Sequence, residues 1–419
     1  MHKKLQQVIS NKQTLGDFVT KLSAKWQLGT KPTQITTSAK ESLEEILGQL
    51  IGLPTVTDNT EANSDALDFI ERFLSARGMY VRRFESNGFG SLAATMQPDY
   101  KTPTVLLTGH IDVVPAPEAC FTMQKQDGAY KGRGVFDMKF AIATYLWLID
   151  HLQADLAKYD LGILITSDEE IGGYDGMRVL VEQGYRGKIA LVPDGGDNWQ
   201  IQTFSKGVQW VQLSASGINA HASQPWKGEN AIHKLLSALH EVRGLVPKQP
   251  TADDRFRTSL TIGTIEGGEA VNQTPAEALC MIDIRHGSNA DYERLYPAIQ
   301  KICQKYDVRA EAIINDPPTA NDPANPYIKT FRTIMMAEIG YDPGKSPRFA
   351  TTDARFLNAA NVPCIIVSPE GGGCHEDSEW VSASSLAQFA RILKQYLQAV
   401  ALRPDPDTPS PKTPSTAKR

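Results

Sequence analysis

The sequence predicts an α/β fold with an α+β domain inserted into it, and three observations support this prediction. Apolar strands such as Thr104–Asp112 and Leu161–Thr166 alternate with helical segments, which is typical of layered α/β domains. Between 206 and 316 the pattern changes to an order of strands and helices that suits a compact α+β unit. After 316 the first pattern resumes. The larger domain is therefore predicted to consist of two chain segments on either side of an insertion.

The spacing of apolar residues predicts the elements of the first segment. Residues 1 to about 52 have helical spacing, and a helix over Ser64–Gly78 is expected to end at the glycine. The other elements are, in chain order, a hairpin of strands Met79–Phe84 and Ser91–Met96, strand Thr104–Asp112, helix Phe140–Leu152, strand Leu161–Thr166, helix Met177–Glu182 and strand Ile189–Val192.

The same spacing predicts the insertion and the second segment. After a first strand from Lys206, the insertion is expected to contain helix Asn230–Arg243, strands Ser259–Ile265 and Glu277–Arg285, helix Asp291–Lys305 and strand Val308–Ile314. The second segment is expected to contain helix Tyr327–Gly340, strand Cys364–Ser368 and helix Ser384–Leu402. The predicted domains are a helical extension (1–40), the larger domain (41–205 and 317–402), the insertion (206–316) and a disordered tail (403–419).

The composition excludes several classes of protein. A net charge of −5 gives no basic surface, so a nucleic acid is not expected as a partner. The five cysteines form no CxxC pair and suit reduced thiols better than a disulfide framework. The N-terminus lacks the apolar stretch of a secretory signal, and no run approaches the roughly 20 apolar residues that span a bilayer. We therefore expect a cytoplasmic protein without a membrane segment.

A histidine and an aspartate share one face at the end of a predicted strand. Because His110 and Asp112 lie two residues apart, Asp112 can accept a hydrogen bond from the far ring nitrogen of His110. Carboxylates orient many metal-binding histidines in this way. The dipeptide alone fits a solvent-exposed histidine at a strand end equally well.

Asp137 follows a glycine-containing loop and precedes a helical run. Gly132 and Gly134 permit a backbone path that is closed to other residues. An aspartate in this place caps a helix more often than it binds a metal. We nevertheless expect Asp137 to be the ligand that two metal ions share, because of the residues around it in the predicted fold.

Further candidate ligands follow other predicted strands. Glu169 and Glu170 are adjacent acids after an apolar strand, and Asp168 precedes them, so a cation or a proton is needed to compensate their repulsion. One could bind metal while its neighbour acts as general base, although a solvated acidic turn would look the same. Asp194 and His375 lie near other strand ends. This edge of an α/β sheet is where ligands bind, and two histidines with three carboxylates suit a pair of zinc-like ions.

Over 41–402 the sequence resembles the co-catalytic zinc peptidases and deacylases of metallopeptidase clan MH. This family includes acetylornithine deacetylase, succinyl-diaminopimelate desuccinylase, aminoacylase, glutamate carboxypeptidase and the carnosinase-like dipeptidases. The resemblance rests on four motifs in the family's order: Gly-His-Ile-Asp-Val-Val-Pro (109–115), Gly-Arg-Gly-Val-Phe-Asp-Met-Lys (132–139), Ser-Asp-Glu-Glu-Ile-Gly-Gly (167–173) and Gly-Cys-His-Glu (373–376). It implies a catalytic domain with a mixed, largely parallel sheet between helices, and a ferredoxin-like lid through which the chain forms a homodimer.

The resemblance also implies a role for each candidate residue. Two divalent ions are expected, zinc or alternatively cobalt or manganese. Glu169 would be the general base that acts on a water bridging the ions, Asp112 would orient His110, and the peptide after Asp137 is often cis. The metal ligands would be His110 and Asp194 on one ion, Glu170 and His375 on the other, and Asp137 between them.

In the insertion, three more residues match family positions. His221, in Gly-Ile-Asn-Ala-His-Ala-Ser, matches the histidine that stabilises the oxyanion, usually from the neighbouring subunit. Asn272 and Arg285 match positions that hold the substrate, and the planar guanidinium of Arg285 suits a carboxylate. Phe140 departs from the glycine of many members. Asp194, where others have Glu, resembles the dipeptidase and aminopeptidase branches.

The expected function is metal-dependent hydrolysis of an amide bond in a small peptide or an N-acyl amino acid. A dipeptidase or aminopeptidase is the leading interpretation, and an N-acyl-amino-acid deacylase of the acetylornithine deacetylase or desuccinylase type is the alternative. Outside the enzymes, the alternatives are a non-catalytic metal-binding or peptide-binding protein on the same fold, and an interaction protein built on the insertion.

Overall fold

The structure is a computed structural model that describes residues 42–344, 346 and 351–403, and it divides into two compact units. The smaller unit comprises Phe204–Ala320 and Thr351, and the larger unit comprises 42–203, 321–344, 346 and 352–403. The predicted insertion, 206–316, lies within the smaller unit. The helical extension predicted for 1–40 lies outside the described residues, as does the predicted tail beyond residue 403.

The strands of the described residues vary in length from two to ten residues. In chain order they are β1 (Tyr80–Ser86), β2 (Phe89–Thr95), β3 (Val105–His110), β4 (Gln124–Gln126), β5 (Ala129–Lys131), β6 (Leu161–Thr166), β7 (Ile189–Leu191), β8 (Phe204–Ser205), β9 (Gly207–Ser216), β10 (Ala220–His221), β11 (Ser259–Gly267), β12 (Gln273–Thr274), β13 (Glu277–His286), β14 (Val308–Asp316), β15 (Thr319–Ala320), β16 (Cys364–Ile365), β17 (Gly371–Gly372) and β18 (Trp380–Ser382).

The helices lie close to the predicted positions, except Ala354–Ala359, where no helix was predicted. They are α1 (Leu43–Ile51), α2 (Thr60–Ala76), α3 (Lys139–Leu152), α4 (Met177–Glu182), α5 (Ala231–Gly244), α6 (Asn289–Lys305), α7 (Pro326–Ile339), α8 (Ala354–Ala359) and α9 (Ala383–Val400). Single 3-10 turns occur at Glu118–Phe121, Leu156–Lys158, Glu169–Ile171 and Pro225–Lys227. Among the described residues, no helix has the length and apolar character that crossing a membrane requires.

The larger unit is built on a mixed six-stranded sheet in the order β1-β2-β6-β3-β7-β16. Strands β6, β3, β7 and β16 are parallel, and the β1–β2 hairpin pairs antiparallel with β6. Every residue of β3 and β6 is buried, as expected for parallel strands that are covered on both faces. The prediction of an α/β fold with a mixed, largely parallel sheet is confirmed.

Helices supply the rest of the larger unit's core. Helix α3 is apolar and buried on nearly all sides, and helix α9 packs against it through a buried stripe that includes Phe389. Phe140, the departure from the family's glycine, is completely buried between Phe136 and Phe389. It therefore fills the core beneath the loop that carries Asp137.

A second, antiparallel sheet in the order β17-β18-β5-β4 was not predicted. Its strands have only two or three residues, so no alternation of apolar and polar positions can develop in the sequence. The sheet connects the loop after β5 with the segment that carries His375, because β18 pairs with both β17 and β5.

The smaller unit has the connectivity of a ferredoxin-like fold. Its elements run β9, α5, β11, β13, α6, β14, and the sheet order is β11-β13-β9-β14 with every pair antiparallel. A separate core forms beneath α5 and α6. The prediction of an inserted ferredoxin-like α+β fold is therefore confirmed.

Some predicted boundaries differ from the structure because capping side chains decide where helices begin. The helix predicted from Ser64 starts at Thr60, since the side chain of Asn59 accepts a hydrogen bond from the backbone of Ala62 at 3.2 Å. At its other end the cap is Arg77, and Gly78 follows with a φ of +90°.

Candidate metal centre

His110 is the last residue of β3, and its ring is buried between two acidic residues. Its Nδ1 lies 2.9 Å from the backbone oxygen of Asp112 and 3.4 Å from that residue's carboxylate. Its Nε2 lies 3.2 Å from Oδ1 of Asp137. The ring is therefore fixed at one nitrogen and presents the other to the candidate shared ligand.

The Asp112 carboxylate has partners besides His110. It accepts hydrogen bonds from the backbone N–H groups of Glu169 and Glu170, both at 3.2 Å, and from the hydroxyl of Thr57 at 3.1 Å. The shortest contact to the histidine is made by the Asp112 carbonyl because the chain turns directly after β3. Asp112 thus contacts the ring through its backbone carbonyl and, at 3.4 Å, its carboxylate, and the same carboxylate holds the Glu169–Glu170 turn.

Asp137 does not cap helix α3. The cap position is occupied by Met138, without any side-chain hydrogen bond, and the Asp137–Met138 peptide is cis, as predicted. The two carboxylate oxygens of Asp137 instead point to different histidines: Oδ1 lies 3.2 Å from His110 Nε2, and Oδ2 lies 3.2 Å from His375 Nε2. This carboxylate joins two groups of candidate ligands.

Glu379 holds the loop before Asp137, a role that the sequence did not reveal. Its buried carboxylate accepts hydrogen bonds from the backbone N–H groups of Gly134, Phe136 and Asp137 at 2.8–3.0 Å, and it pairs with the buried guanidinium of Arg133 at 2.8 Å. Gly134 has a φ of +82°, and a Cβ there would lie 2.8 Å from Val113. The nearest signal in the sequence is the arginine in the glycine loop, which needs a buried acid as partner.

His375 contacts two carboxylates from different parts of the larger unit. Its Nε2 lies 3.1 Å from Oε2 of Glu170 and 3.2 Å from Oδ2 of Asp137. The Glu170 side chain is buried at the 3-10 turn after β6, whereas 52% of the His375 side chain is exposed. This end of the ligand cluster is therefore open to solvent.

Two groups of side chains in the larger unit could hold a metal ion, and they share Asp137. One consists of His110, Asp137 and Asp194, and the other of Asp137, Cys374 and His375, with ligand atoms within 4.8 Å of one another in each group. Glu170 joins the second group through His375. Three of the predicted ligands follow β3, β6 and β7, but Asp137 and His375 do not follow strands of the main sheet. They flank the small antiparallel sheet instead.

Asp168 and Glu169, the two acids before Glu170, have different roles. The Asp168 carboxylate turns away and accepts backbone hydrogen bonds from Asp175 at 2.7 Å and Gly176 at 3.1 Å, which closes the loop 168–176. Burial and the nearby Asp353 raise the pKa of Asp168 to about 8. For Glu169, burial and the charge of Asp194 raise the pKa well above its ordinary value.

Charges within the cluster compensate one another. Burial lowers the pKa of His110, but hydrogen bonds to Asp112 and Asp137 outweigh it, and the pKa lies well above its ordinary value. Hydrogen bonds with Asp137, Cys374 and Glu170 raise the pKa of His375 to about 12. Burial also raises the pKa of Asp137, yet the bonds from the two histidines bring it well below its usual range.

These groups fit divalent cations. Two imidazolium ions held among clustered carboxylates occupy positions where positive charge is required, and a divalent ion between the same atoms would replace their protons. Imidazole nitrogens with carboxylate oxygens are donors that suit zinc and related ions.

His221 and Asn272 belong to the smaller unit, where β10 and β12 bring their segments together. His221 pairs with Gln273, and the backbone N–H of Ala222 donates to the Asn272 carbonyl at 2.9 Å. The backbone N–H of Ser223 donates to His221 Nδ1 at 3.2 Å. In the neutral ring Nδ1 is then the acceptor, so the proton resides on Nε2 and this atom can donate to an oxyanion.

Arg285, also in the smaller unit, is already paired on one side. Its Nε and Nη2 donate to the two carboxylate oxygens of Asp283 at 2.8 and 2.9 Å, and 42% of its side chain is exposed. The indole of Trp210 donates to the same carboxylate at 3.2 Å. Asp283 fixes the orientation of the guanidinium, and the alternation along β13, which places residues 283 and 285 on one face, could have identified it.

Comparisons with known proteins show what the chain is similar to. A family described as Peptidase family M20/M25/M40 matches residues 106–399. A succinyl-diaminopimelate desuccinylase of Acidovorax ebreus (strain TPSY) is 26% identical over 380 residues, which cover 83% of this chain and 95% of that protein.

Solved structures show the same fold at lower identity. A tripeptidase from Staphylococcus aureus superposes with a TM-score of 0.66 at 18% identity, covering 87% of this chain and 99% of that one. The dipeptidase Dug1p from Saccharomyces cerevisiae superposes with a TM-score of 0.58 at 18% identity, covering 87% and 96%.

Proposed function

Because the chain belongs to peptidase family M20/M25/M40, we propose that its metal centre hydrolyses the amide bond of a small peptide or an N-acyl amino acid. The chain is an enzyme, a metal-dependent amide hydrolase, which excludes the alternative of a non-catalytic binding protein. The observation that carries the detailed proposal is the position of Asp137, whose two oxygens each lie 3.2 Å from a different histidine.

We assign the ligands in two pairs around this carboxylate. The inner pair is His110 and Asp194, and the outer pair is Glu170 and His375, with Asp137 shared between two divalent ions. Zinc suits the mixture of nitrogen and oxygen donors best, and cobalt or manganese would be accepted by the same atoms.

Glu169 is the proposed general base. Ions bound at the two positions would polarise the scissile carbonyl and lower the pKa of a water molecule between them. Glu169 follows Asp168 directly and is held by the bond from its backbone N–H to Asp112. Its raised pKa suits a group that takes a proton from water and returns it to the leaving amine.

We propose that His221 and Arg285, both residues of the smaller unit, have roles in oxyanion stabilisation and substrate binding. The backbone N–H of Ser223 donates to Nδ1 of His221, so the ring proton resides on Nε2 and can be donated to the oxyanion. Asn272, in the segment paired with His221, would bind the substrate backbone, and the exposed side of the Arg285 guanidinium would bind a free carboxylate.

Dipeptides or aminopeptidase substrates are the leading substrate class, and N-acyl amino acids are the second. Asp194 supports the first class, because an aspartate at this position, where other members have Glu, resembles the peptidase branches of the family. The desuccinylase names of relatives at 26% identity favour the second. The cytoplasmic location stays a prediction from the sequence.

A hydrolysis screen tests the proposal directly. We expect chelation to abolish hydrolysis, and added Zn²⁺, Co²⁺ or Mn²⁺ to restore it. The screen compares dipeptides with N-acetyl and N-succinyl amino acids on the same metal-loaded enzyme. Turnover confined to one set decides the substrate class, and hydrolysis that survives complete metal removal would refute the proposed mechanism.

We also propose that the chain forms a homodimer through the smaller unit. Strand β11 is a sheet edge, its residues from Thr261 onward are exposed, and it carries Ile265 with half of its side chain accessible. An exposed apolar edge is suited to pairing with a second copy. Light scattering should give a dimer for the wild type and a monomer for Ile265→Lys, and a monomeric wild type would contradict this assignment.

A further inference from the structure

We propose that Cys374 is a sulfur ligand at the outer metal position, next to His375, and that it gives this position a preference for zinc. The proposal rests on the proposed function, because it requires metal ions at this centre. It adds a donor that the ligand assignment above does not include, although the residue lies within the motif Gly-Cys-His-Glu (373–376). It also makes the two metal positions chemically different.

The first argument is the position of the thiol. Cys374 Sγ lies 2.8 Å from Oδ2 of Asp137, the same oxygen that lies 3.2 Å from His375 Nε2. Donor atoms of these three residues all lie within 4.8 Å of one another. A sulfur, a nitrogen and a carboxylate oxygen therefore converge as they would around a single ion.

The second argument is the path of the backbone. Side chains of neighbouring residues point in opposite directions along an extended chain, so two consecutive ligands need a turn. His375 has a φ of +66° and Gly373 a φ of +70°, both in the left-handed region. At Gly373 a Cβ would lie 3.0 Å from the backbone of Glu379, which keeps this turn tight. The turn brings consecutive side chains to the same carboxylate.

The third argument is the contrast with the other cysteines. Cys280, Cys303 and Cys364 are buried within hydrophobic clusters of the two units. Cys120 is partly exposed, and its Sγ lies 4.0 Å from a backbone oxygen of Asp377. By contrast, Cys374 contacts a carboxylate that we assign as a metal ligand.

The chemical consequence follows from the softness of sulfur. Thiolate ligands favour zinc, whereas oxygen donors suit manganese and magnesium. A thiol binds a metal ion as the thiolate, so its proton passes to solvent when the ion binds. The inner position, with His110, Asp137 and Asp194, offers nitrogen and oxygen only.

The test replaces the native metal by Co²⁺ in the full chain and records the absorption spectrum. Thiolate bound to Co²⁺ produces an intense sulfur-to-cobalt charge-transfer band in the near ultraviolet. We expect the band in the wild type and in the matched control Cys120→Ser, and its loss in Cys374→Ser and Cys374→Ala. A wild type without the band, or a Cys374→Ala variant that keeps it, would overturn the proposal.

Competition between zinc and manganese for the protein gives a second measurement that is independent of turnover. Cys374→Ser should weaken zinc binding at one of the two positions by at least about tenfold relative to manganese, while Cys120→Ser leaves the ratio unchanged. An unchanged ratio in Cys374→Ser would count against the sulfur ligand. Failure of the proposed function would look different, since the wild type would then show no metal-dependent hydrolysis.

Discussion

The inner and outer ligand pairs share one carboxylate but differ in how the fold supports them. His110 ends a buried strand of the main sheet, and only 1% of its side chain is exposed. His375 lies in a turn after a two-residue strand, and 52% of its side chain is exposed. The inner histidine is held by backbone and sheet, whereas the outer one lies in the short connection between β17 and β18.

This difference suggests that the inner and outer ligand pairs have different tasks in the metal centre. A buried histidine such as His110 can keep its geometry without metal, because the surrounding sheet determines it. In the outer pair the Glu170 side chain is buried, but His375 faces solvent, where a substrate can approach and where a softer donor, Cys374, lies beside it. The predictions below test this difference by perturbing the two pairs separately.

The largest effect is expected at Glu169, which belongs to neither pair. Glu169→Gln keeps the shape of the side chain but removes the general base, so kcat should fall by about 10²- to 10⁴-fold. Metal content, measured by mass spectrometry of the purified protein, should stay at the wild-type level. Activity within tenfold of the wild type would remove Glu169 from the mechanism.

The two histidines should differ in what they contribute to the metal-free protein. His110→Ala leaves buried carboxylates without their partner and should lower the free energy of unfolding by about 3–5 kcal/mol. His375→Ala removes a half-exposed partner and should cost about 0–1 kcal/mol. Urea unfolding in the presence of a chelator measures both. Equal losses in the two variants would mean that the pairs do not differ in the way described.

A buried histidine outside the metal centre separates the effect of burial from that of carboxylate partners. His286, in the smaller unit, is fully buried, neither ring nitrogen has a hydrogen-bond partner among the described residues, and burial lowers its pKa to about 4. Because the folded-state pKa lies below the unfolded value of about 6.5, stability should fall between pH 6.5 and 4, by up to about 3 kcal/mol.

The comparison of wild type with His286→Phe tests whether His286 lowers the stability of the folded chain as the pH falls. Urea unfolding of the metal-free proteins at pH 7, 6 and 5 should show a stability difference that shifts in favour of the variant as the pH falls. A difference that is constant with pH would show that His286 is protonated as easily in the folded chain as in the unfolded one.

The smallest effect is expected at Arg285, which belongs to neither ligand pair. Arg285→Ala should raise KM for substrates with a free carboxylate by about 10- to 100-fold, the value of one charged hydrogen-bonded contact. Amidated substrates should be affected much less, and metal content should not change. Equal losses on free and amidated substrates would remove the carboxylate-binding role.

The sequence predicted the long elements of the six-stranded sheet and of the smaller unit's four-stranded sheet well. Strands β3 and β6 are buried throughout and mostly apolar, and helix α3 follows from its apolar run, so the apolar character of these segments identifies them. The small sheet of β4, β5, β17 and β18 escaped prediction, since two- or three-residue strands contain no period. The start of α2 was missed because the Asn59 side chain, rather than apolar spacing, determines it.

The sequence by itself determined the chemical types at the centre: acids and histidines in motifs near strand ends, with glycines where the backbone must turn. Only the tertiary structure decided which of them meet. The Asp112 side chain supports the Glu169–Glu170 turn, Glu379 holds the loop before Asp137, and Cys374 reaches the shared carboxylate. These contacts join residues far apart in the chain. Their geometry depends on how the two sheets of the larger unit are assembled, which no local pattern records.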